Sequence, residues 1–248
     1  MGVEVKIVPD KVALARAAAE VFHGIAEAAI QERGRFSVAL SGGNTPRSVY
    51  SLLATEHKQL PWDRIHIFFG DERHVPPDDP DSNFRMASES LLSRVPIPEK
   101  KIHRIRAELD AEAAAKEYEQ ELRKYFQLKD GEWPRFDLVL LGLGDDGHTA
   151  SLFPASEALT EKSKLVTANW VEKLHTFRIT LTLPVLNHAA EVVFLVSGAN
   201  KAQVLSEVLR PGAKEYPAQL VQPENGRLLW LLDQDAARLL RFAEPTKP

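Results

Sequence analysis

The sequence predicts an α/β fold: a mostly parallel, doubly wound (Rossmann-like) sheet with helices on both faces, in a single domain over residues 1–248. Three observations predict it. Residues 136–143 and 192–196 are almost continuously apolar, as strands covered on both faces must be. Such runs alternate with segments of helical period, which calls for crossover connections and a parallel sheet. Several of the runs end directly in glycine-rich or polar turns, where open α/β sheets bind their ligands.

In order along the chain, residues 3–8 alternate like a strand. Asp10 is placed to cap a helix carrying Leu14, Ala18, Val21 and Ile25, with Gly34 at its end. Residues 36–40 form the next strand, and a helix with Val49, Leu52 and Leu53 follows, with Thr45 at its N-cap and Pro46 in its first turn. A third strand over residues 64–69 leads through Gly70 into charged residues 71–75, and Asp81 or Ser82 caps a helix with Phe84, Ala87, Leu91 and Leu92. A short strand is expected at 102–105, and the Ala-, Glu- and Lys-rich segment 110–126 is a helix with Ala114, Tyr118, Leu122 and Tyr125 on one face. The buried strand at 136–143 runs into glycines and aspartates, with Asp145 or Asp146 capping a helix that begins near His148. Strands at 165–168, 177–181, 192–196 and 228–232 complete the sheet. Helices start at Pro184, after Ser197 or Gly198, and over 233–240; proline-bearing residues 211–223 read as a surface excursion.

With 44% hydrophobic and 27% charged residues, the chain has an ordinary globular mix and enough length for one large core. A net charge of −4 gives no general attraction to nucleic acid or anionic membrane, so an anionic ligand must be held by local donors. The absence of cysteine excludes disulfides, thiolate catalysis and Cys-based zinc sites. His74 with Asp71 has no recognised metal-ligand spacing, and no metal is expected. The N-terminal stretch carries charges throughout, unlike a signal peptide, and no run reaches the ~20 apolar residues of a membrane span. A cytoplasmic protein, monomeric or weakly homodimeric, is expected.

Four loops follow strands: 41–46, 71–75, 142–148 and 197–201. In a parallel sheet they emerge at one edge. The first, Ser41-Gly42-Gly43-Asn44-Thr45-Pro46, offers glycines and the unpaired N–H groups of a helix start, which suits a phosphate. It lacks the Gly-Lys-Ser/Thr ending of a Walker loop and the spacing of a dinucleotide loop. His148 is the candidate base, kept neutral by a helix N-terminus and oriented by Asp146.

The segments LSGGNTP (40–46), GDERHVPPDDPDSNFR (70–85), LGLGDDGHTASLFP (141–154), RITLT (178–182) and GANK (198–201) together resemble those of the 6-phosphogluconolactonases of the pentose phosphate pathway, over nearly the whole chain. The resemblance implies a carboxylic ester hydrolase that opens 6-phospho-D-glucono-1,5-lactone without a cofactor. It implies His148 as the general base, with Asp146, Arg73 and Asp71 as its catalytic companions. Ser41, Gly42, Gly43, Asn44, Thr45, Glu72, Asn83, Gly144, Arg178 and Lys201 would bind the substrate, with Arg178 and Lys201 giving charge to the phosphate. Glucosamine-6-phosphate deaminases share the SGG loop and the DGH triplet, but continue after it to an Asn-Glu-Pro ending where this chain has residues 149–154, and carry a tyrosine at the place of Arg73. Other readings are a Ser-His-Asp triad through Ser41 or Ser151, and a non-catalytic sugar-phosphate sensing domain. The latter would need a DNA-reading segment for which the stretch before Val3 has no room.

Overall fold

Strand β2 (Phe36–Leu40) is buried at every position and lies one strand in from the edge of a six-stranded parallel sheet, in a computed structural model that describes residues 3–210, 212 and 215–240. The extreme ends of the expected domain, and residues 211, 213 and 214 of the expected excursion, lie outside the described residues. The other strands of this sheet are β1 (Val3–Val8), β3 (Ile65–Phe69), β5 (Leu138–Leu141), β8 (Glu191–Val196) and β9 (Arg227–Asp233), in the order β1-β9-β8-β5-β2-β3. The last strand is therefore interior, paired in parallel with both β8 and β1.

Alternation along the strands decides what covers each face. Phe36 meets Phe22 of helix α1 (Lys11–Arg33) at 5.2 Å, ring centre to ring centre, with Trp62 next to Phe22 at 6.4 Å. Phe68, in the opposite phase, packs on Tyr125 and Phe126 of α4 (Ala111–Phe126) and on Phe136. The sheet is thus covered on both sides. Asp10 caps α1 by accepting from the N–H groups of Val12 and Ala13, and Gly34 closes it at φ 73°, as their residue types require. Pro184 opens α5 (Leu183–Asn187), and a turn at Ala199–Lys201 leads into α6 (Ala202–Val208).

Several elements differ from the sequence expectation. Helix α2 (Asn44–Glu56) starts one residue before Thr45, with Gly43 at the N-cap, φ 101°, and no side chain capping it. Residues 102–105 give only a single bridge, Ile102 to Ile67. The closing helix is the short α7 (Gln234–Ala237), capped by Asp233. The charged residues after Gly70 are a strand, β4 (Asp71–Arg73), in a second sheet. This sheet, ordered β4-β7-β6 with β6 (Val166–Val171) and β7 (Thr176–Leu181), is antiparallel throughout.

The largest departure is at 142–156, where no helix forms after the apolar strand. Backbone groups a helix would pair locally are taken by distant partners. Ser151 N donates to Thr180 Oγ1 (3.2 Å), and Ser151 O accepts from Asn169 Nδ2 (2.8 Å). Gly144 N donates to His148 O at 2.8 Å, and Thr149 Oγ1 to Gly142 O at 2.9 Å. Gly147 and Ala150 take positive φ, 74° and 46°. The second sheet captures the loop, and Pro154 leaves too few residues before it for a helix to compete.

Strand order reverses between β2 and β5: the chain runs outward from β2 to β3, then returns to β5 and proceeds to β8 and β9. Ligands of open α/β sheets bind at such a switch point, beyond the carboxyl ends of the strands. Residues 41–46 follow β2 and residues 142–148 follow β5, so both loops border that crevice.

Candidate active site

A cleft of about 270 Å³ opens at the switch point, lined by Ser41, Gly42, Asp71, Arg73, Asn83, Gly144, Asp145, His148 and Lys201, among others. It shares walls with two further clefts. One, of about 390 Å³, contains residues 42–46 with Ser197, Asn200 and Lys201. The other, of about 250 Å³, contains Asp71, Arg73, His148, Phe153, Lys173 and Arg178. Together they form one groove, with His148 in the middle, Lys201 toward α2 and Arg178 toward the second sheet.

His148 Nδ1 lies 2.5 Å from Asp146 Oδ1, and the same oxygen accepts from the backbone N–H of His148 at 3.2 Å. The Nδ1 proton therefore belongs on the Asp146 side, and Nε2 carries the lone pair. The imidazole stacks on Phe153 at 4.2 Å. Burial pushes its pKa below the ordinary histidine value, partly opposed by the hydrogen bond the ring donates to Asp146. Desolvation, and not a helix dipole, keeps this base neutral. Burial also works against the Asp146 charge, but hydrogen bonds from Lys173 and His148 outweigh it and hold that carboxyl at about 2. Gly144 makes room for the ring: a Cβ there would fall 1.9 Å from His148 Nδ1.

The period of β4 sorts its three charges. Asp71 and Arg73 face the groove, while Glu72 between them points the other way. Glu72 is buried and accepts from the N–H groups of Arg73, Asn83 and Phe84 (2.7 to 2.8 Å) and from Ser82 Oγ (3.2 Å). It thereby holds the start of α3 (Asn83–Ser90), although burial raises its pKa. The structure does not bring Glu72 to the substrate groove, contrary to the expectation from its loop. Glu72→Ala is expected to lower stability by about 3 kcal/mol, because it strips buried donors of their acceptor; the midpoint of urea unfolding checks this.

Arg73 and Arg178 are direct cross-strand partners. Like charges so placed are unfavourable by themselves. Among the described residues neither makes an ion pair, and the salt bridge from Arg73 to Asp71 or Glu72 does not form. Arg73 donates to Asp81 O at 2.7 Å. Burial, then the charge of Arg73, lowers the pKa of Arg178. Two half-buried guanidiniums, neither of them tied to a carboxylate by an ion pair, make a wall that favours an anion.

At the other end, Tyr50 OH bridges the backbone of Ser41, donating to its O (2.8 Å) and accepting from its N (3.0 Å). Among the described residues Ser41 Oγ has no hydrogen-bond partner, and it lies buried beside the cleft. Gly42 must lack a side chain, since a Cβ would sit 1.9 Å from Asn83 Oδ1. Asn83 in turn donates to Asp71 O at 3.0 Å. Lys201 Nζ pairs with Asp145, which offsets the cation's place at a helix start. Ser151 donates to Asp71 at 2.6 Å, and neither it nor Ser41 is hydrogen-bonded to His148, so no Ser-His-Asp triad is assembled.

The structure thus gathers His148, Asp71, Arg73, Ser41, Gly42, Asn83, Gly144 and Lys201 in one cleft, with Asp146 behind the base. Gly43, Asn44 and Thr45 lie in the cleft on one side and Arg178 in that on the other, so Arg178 and Lys201 do not share a cleft. Sequence reasoning missed Phe153 as the stacking partner and Lys173 as the partner of Asp146. Phe153 stands in the 141–154 segment, but its stacking on His148 comes from the path of a loop; Lys173 had no signal. Among the described residues no group of three or more His, Cys, Asp or Glu is placed to hold a metal, and no helix is long and apolar enough to cross a membrane.

Fold and groove together define a doubly wound α/β protein that gathers a half-buried histidine and the cationic side chains of Arg73, Arg178 and Lys201 in one groove at the carboxyl edge of its sheet. The profile of the glucosamine-6-phosphate isomerases/6-phosphogluconolactonase family matches residues 9–230, and the chain belongs to that family. It is 51% identical to a 6-phosphogluconolactonase of Synechocystis sp. over 86% of this chain and 88% of that one. It is 44% identical to the human 6-phosphogluconolactonase over 84% and 82%. The solved 6-phosphogluconolactonase of Trypanosoma brucei superposes with a TM-score of 0.88 at 32% identity, covering 97% of this chain and 99% of that one. A monomeric glucosamine-6-phosphate deaminase, 20% identical with a TM-score of 0.79 over 95% and 99% of the two chains, shares the fold.

Proposed function

We propose that this protein hydrolyses 6-phospho-D-glucono-1,5-lactone to 6-phospho-D-gluconate in the cytoplasm, the oxidative-branch reaction of the pentose phosphate pathway. The observation that carries the reading is the desolvated His148–Asp146 pair set between two cationic ends of one groove. A phosphorylated lactone needs a base beside its carbonyl and positive charge at its phosphate, and relatives named for that activity match most of this chain.

His148 Nε2 takes a proton from water as the oxygen adds to lactone C1. Negative charge moves to the carbonyl oxygen, where Arg73 stabilises it. Asp146 and Asp71 favour the imidazolium that forms, both acting to raise the His148 pKa. The intermediate collapses by breaking the bond from C1 to the ring oxygen, which recovers the proton from His148, and the new acid ionises to carboxylate. An ester-level carbon reacts by addition and elimination alone, so no cofactor takes part. The backbone N–H groups of residues 42–45, with Ser41 and Lys201, take the phosphate, Lys201 exchanging Asp145 for the ligand. Arg178 adds charge to substrate binding from the other side of the cleft.

The test is direct. Purified protein should accelerate decay of the phosphorylated lactone far beyond its spontaneous rate, act poorly on unphosphorylated glucono-1,5-lactone, and release no ammonia from glucosamine 6-phosphate. Ammonia release without lactone decay would replace this reading by the deaminase. Arg178→Gln and Lys201→Met are each expected to raise KM for the phosphorylated lactone about tenfold with kcat little changed, as for groups that bind ground and transition states alike. Steady-state kinetics on the phosphorylated lactone check both, and the unphosphorylated lactone, which has no phosphate to lose, should respond little to Lys201→Met.

A further inference from the structure

We infer that Lys173, on the hairpin between β6 and β7, is a positioning residue for the base: it holds both the Asp146 carboxylate and the Phe153 ring, the two groups that fix the His148 imidazole. This deepens the lactonase reading and rests on it. Lys173 Nζ pairs with Asp146 Oδ2, leaving Oδ1 to His148. The same ammonium lies 4.8 Å from the centre of the Phe153 ring, which stacks on His148 at 4.2 Å. One cation therefore touches the imidazole's hydrogen-bond acceptor and its stacking partner, and does not touch the imidazole.

The hairpin is built to deliver that cation. Trp170 and Phe177 are cross-strand partners with ring centres 5.1 Å apart, and Trp170 Nε1 donates to Glu172 Oε2 at 2.7 Å. Such aromatic pairs stabilise a two-strand ribbon. The turn Glu172–Leu174 is closed by His175 in the left-handed region, φ 47°, which returns the chain into β7 with Lys173 and Leu174 facing the groove. The electrostatic consequence follows from the groups around the base. Asp146 on its own loop and Asp71 from β4 favour imidazolium, while Lys173 from the hairpin opposes it. Arg73 and Arg178, from β4 and β7, line the same cleft, and Lys201 is compensated by Asp145. Taking Lys173 away leaves the Asp146 charge facing His148 alone, so imidazolium persists to higher pH and the neutral base is lost earlier as pH falls.

The experiment compares wild type, Lys173→Met and Lys173→Arg across pH with the phosphorylated lactone. Lys173 is half-exposed, so both variants are expected to fold. Lys173→Met should lower kcat roughly tenfold or more, with KM little changed, as for loss of an outer-shell partner. It should also move the acid limb of kcat/KM to higher pH, and Lys173→Arg should restore both. A Lys173→Met enzyme with wild-type kcat and an unmoved acid limb would overturn the inference, and so would a loss of kcat that comes with a lowered melting temperature and an unmoved limb. Failure of the lactonase reading would show differently, as no turnover by the wild type.

Discussion

His148→Ala is expected to fold as the wild type does and to lose about three orders of magnitude of kcat toward the phosphorylated lactone, within the range ascribed to a positioned general base. The ring is partly exposed, and its departure opens no hole in the apolar core between the sheet and its helices. What is lost is a neutral proton acceptor at the cleft, with its lone pair on Nε2 because Nδ1 is committed to Asp146. His148→Gln keeps a hydrogen-bonding side chain of similar reach without its basicity and should be nearly as inactive. KM should change little in both, since the cationic ends of the groove are untouched. Initial rates corrected for spontaneous lactone opening, with circular dichroism as the fold control, check the expectation; wild-type turnover in either variant would remove His148 from the mechanism.

Gly144→Ala is expected to cost about a hundredfold in kcat/KM while the functional side chains of the cleft keep their chemistry. The added methyl would overlap the imidazole at 1.9 Å from Nδ1, so the ring must leave its place between Asp146 and Phe153. A displacement of about 1 Å at a catalytic group is enough for a loss of that size. Neighbouring Gly142 meets nothing within 4 Å of an added Cβ, so Gly142→Ala should leave the imidazole in place and serves as the comparison. Equal activity in the two variants would show that the ring has room to relocate and still act.

The parallel strands were legible because burial on both faces forces continuous apolar sequence, as in Phe36–Leu40 and Leu138–Leu141. The convergence of the four loops was legible for the same reason, since parallel strands end at one edge. The second sheet was not. Asp71–Arg73 has no apolar pattern at all, and its strand character comes from pairing with β7, more than 100 residues away. Once that pairing is known, the alternation separates Asp71 and Arg73 from Glu72, which a loop reading had placed in the site. The segment after β5 misled for a related reason: its capping aspartates and glycines suit a helix start, but distant partners on β6 and β7 satisfy its backbone. The neutrality expected of His148 was credited to a helix start that does not form; burial lowers its pKa instead, and that depends on the loop's path. Lys173 left no local signature, because it reaches Asp146 only through a hairpin whose register the sequence does not announce.

The measurement that tests the account most directly is kcat/KM for 6-phospho-D-glucono-1,5-lactone as a function of pH, corrected for spontaneous opening. A base whose pKa burial has lowered is already neutral in the ordinary imidazole range. The profile should therefore stay level through neutral pH, with its acid limb below 6.5, the ordinary histidine value, and the limb should vanish from the residual activity of His148→Ala. A limb above that value, or no enzymatic acceleration at any pH, would contradict the account.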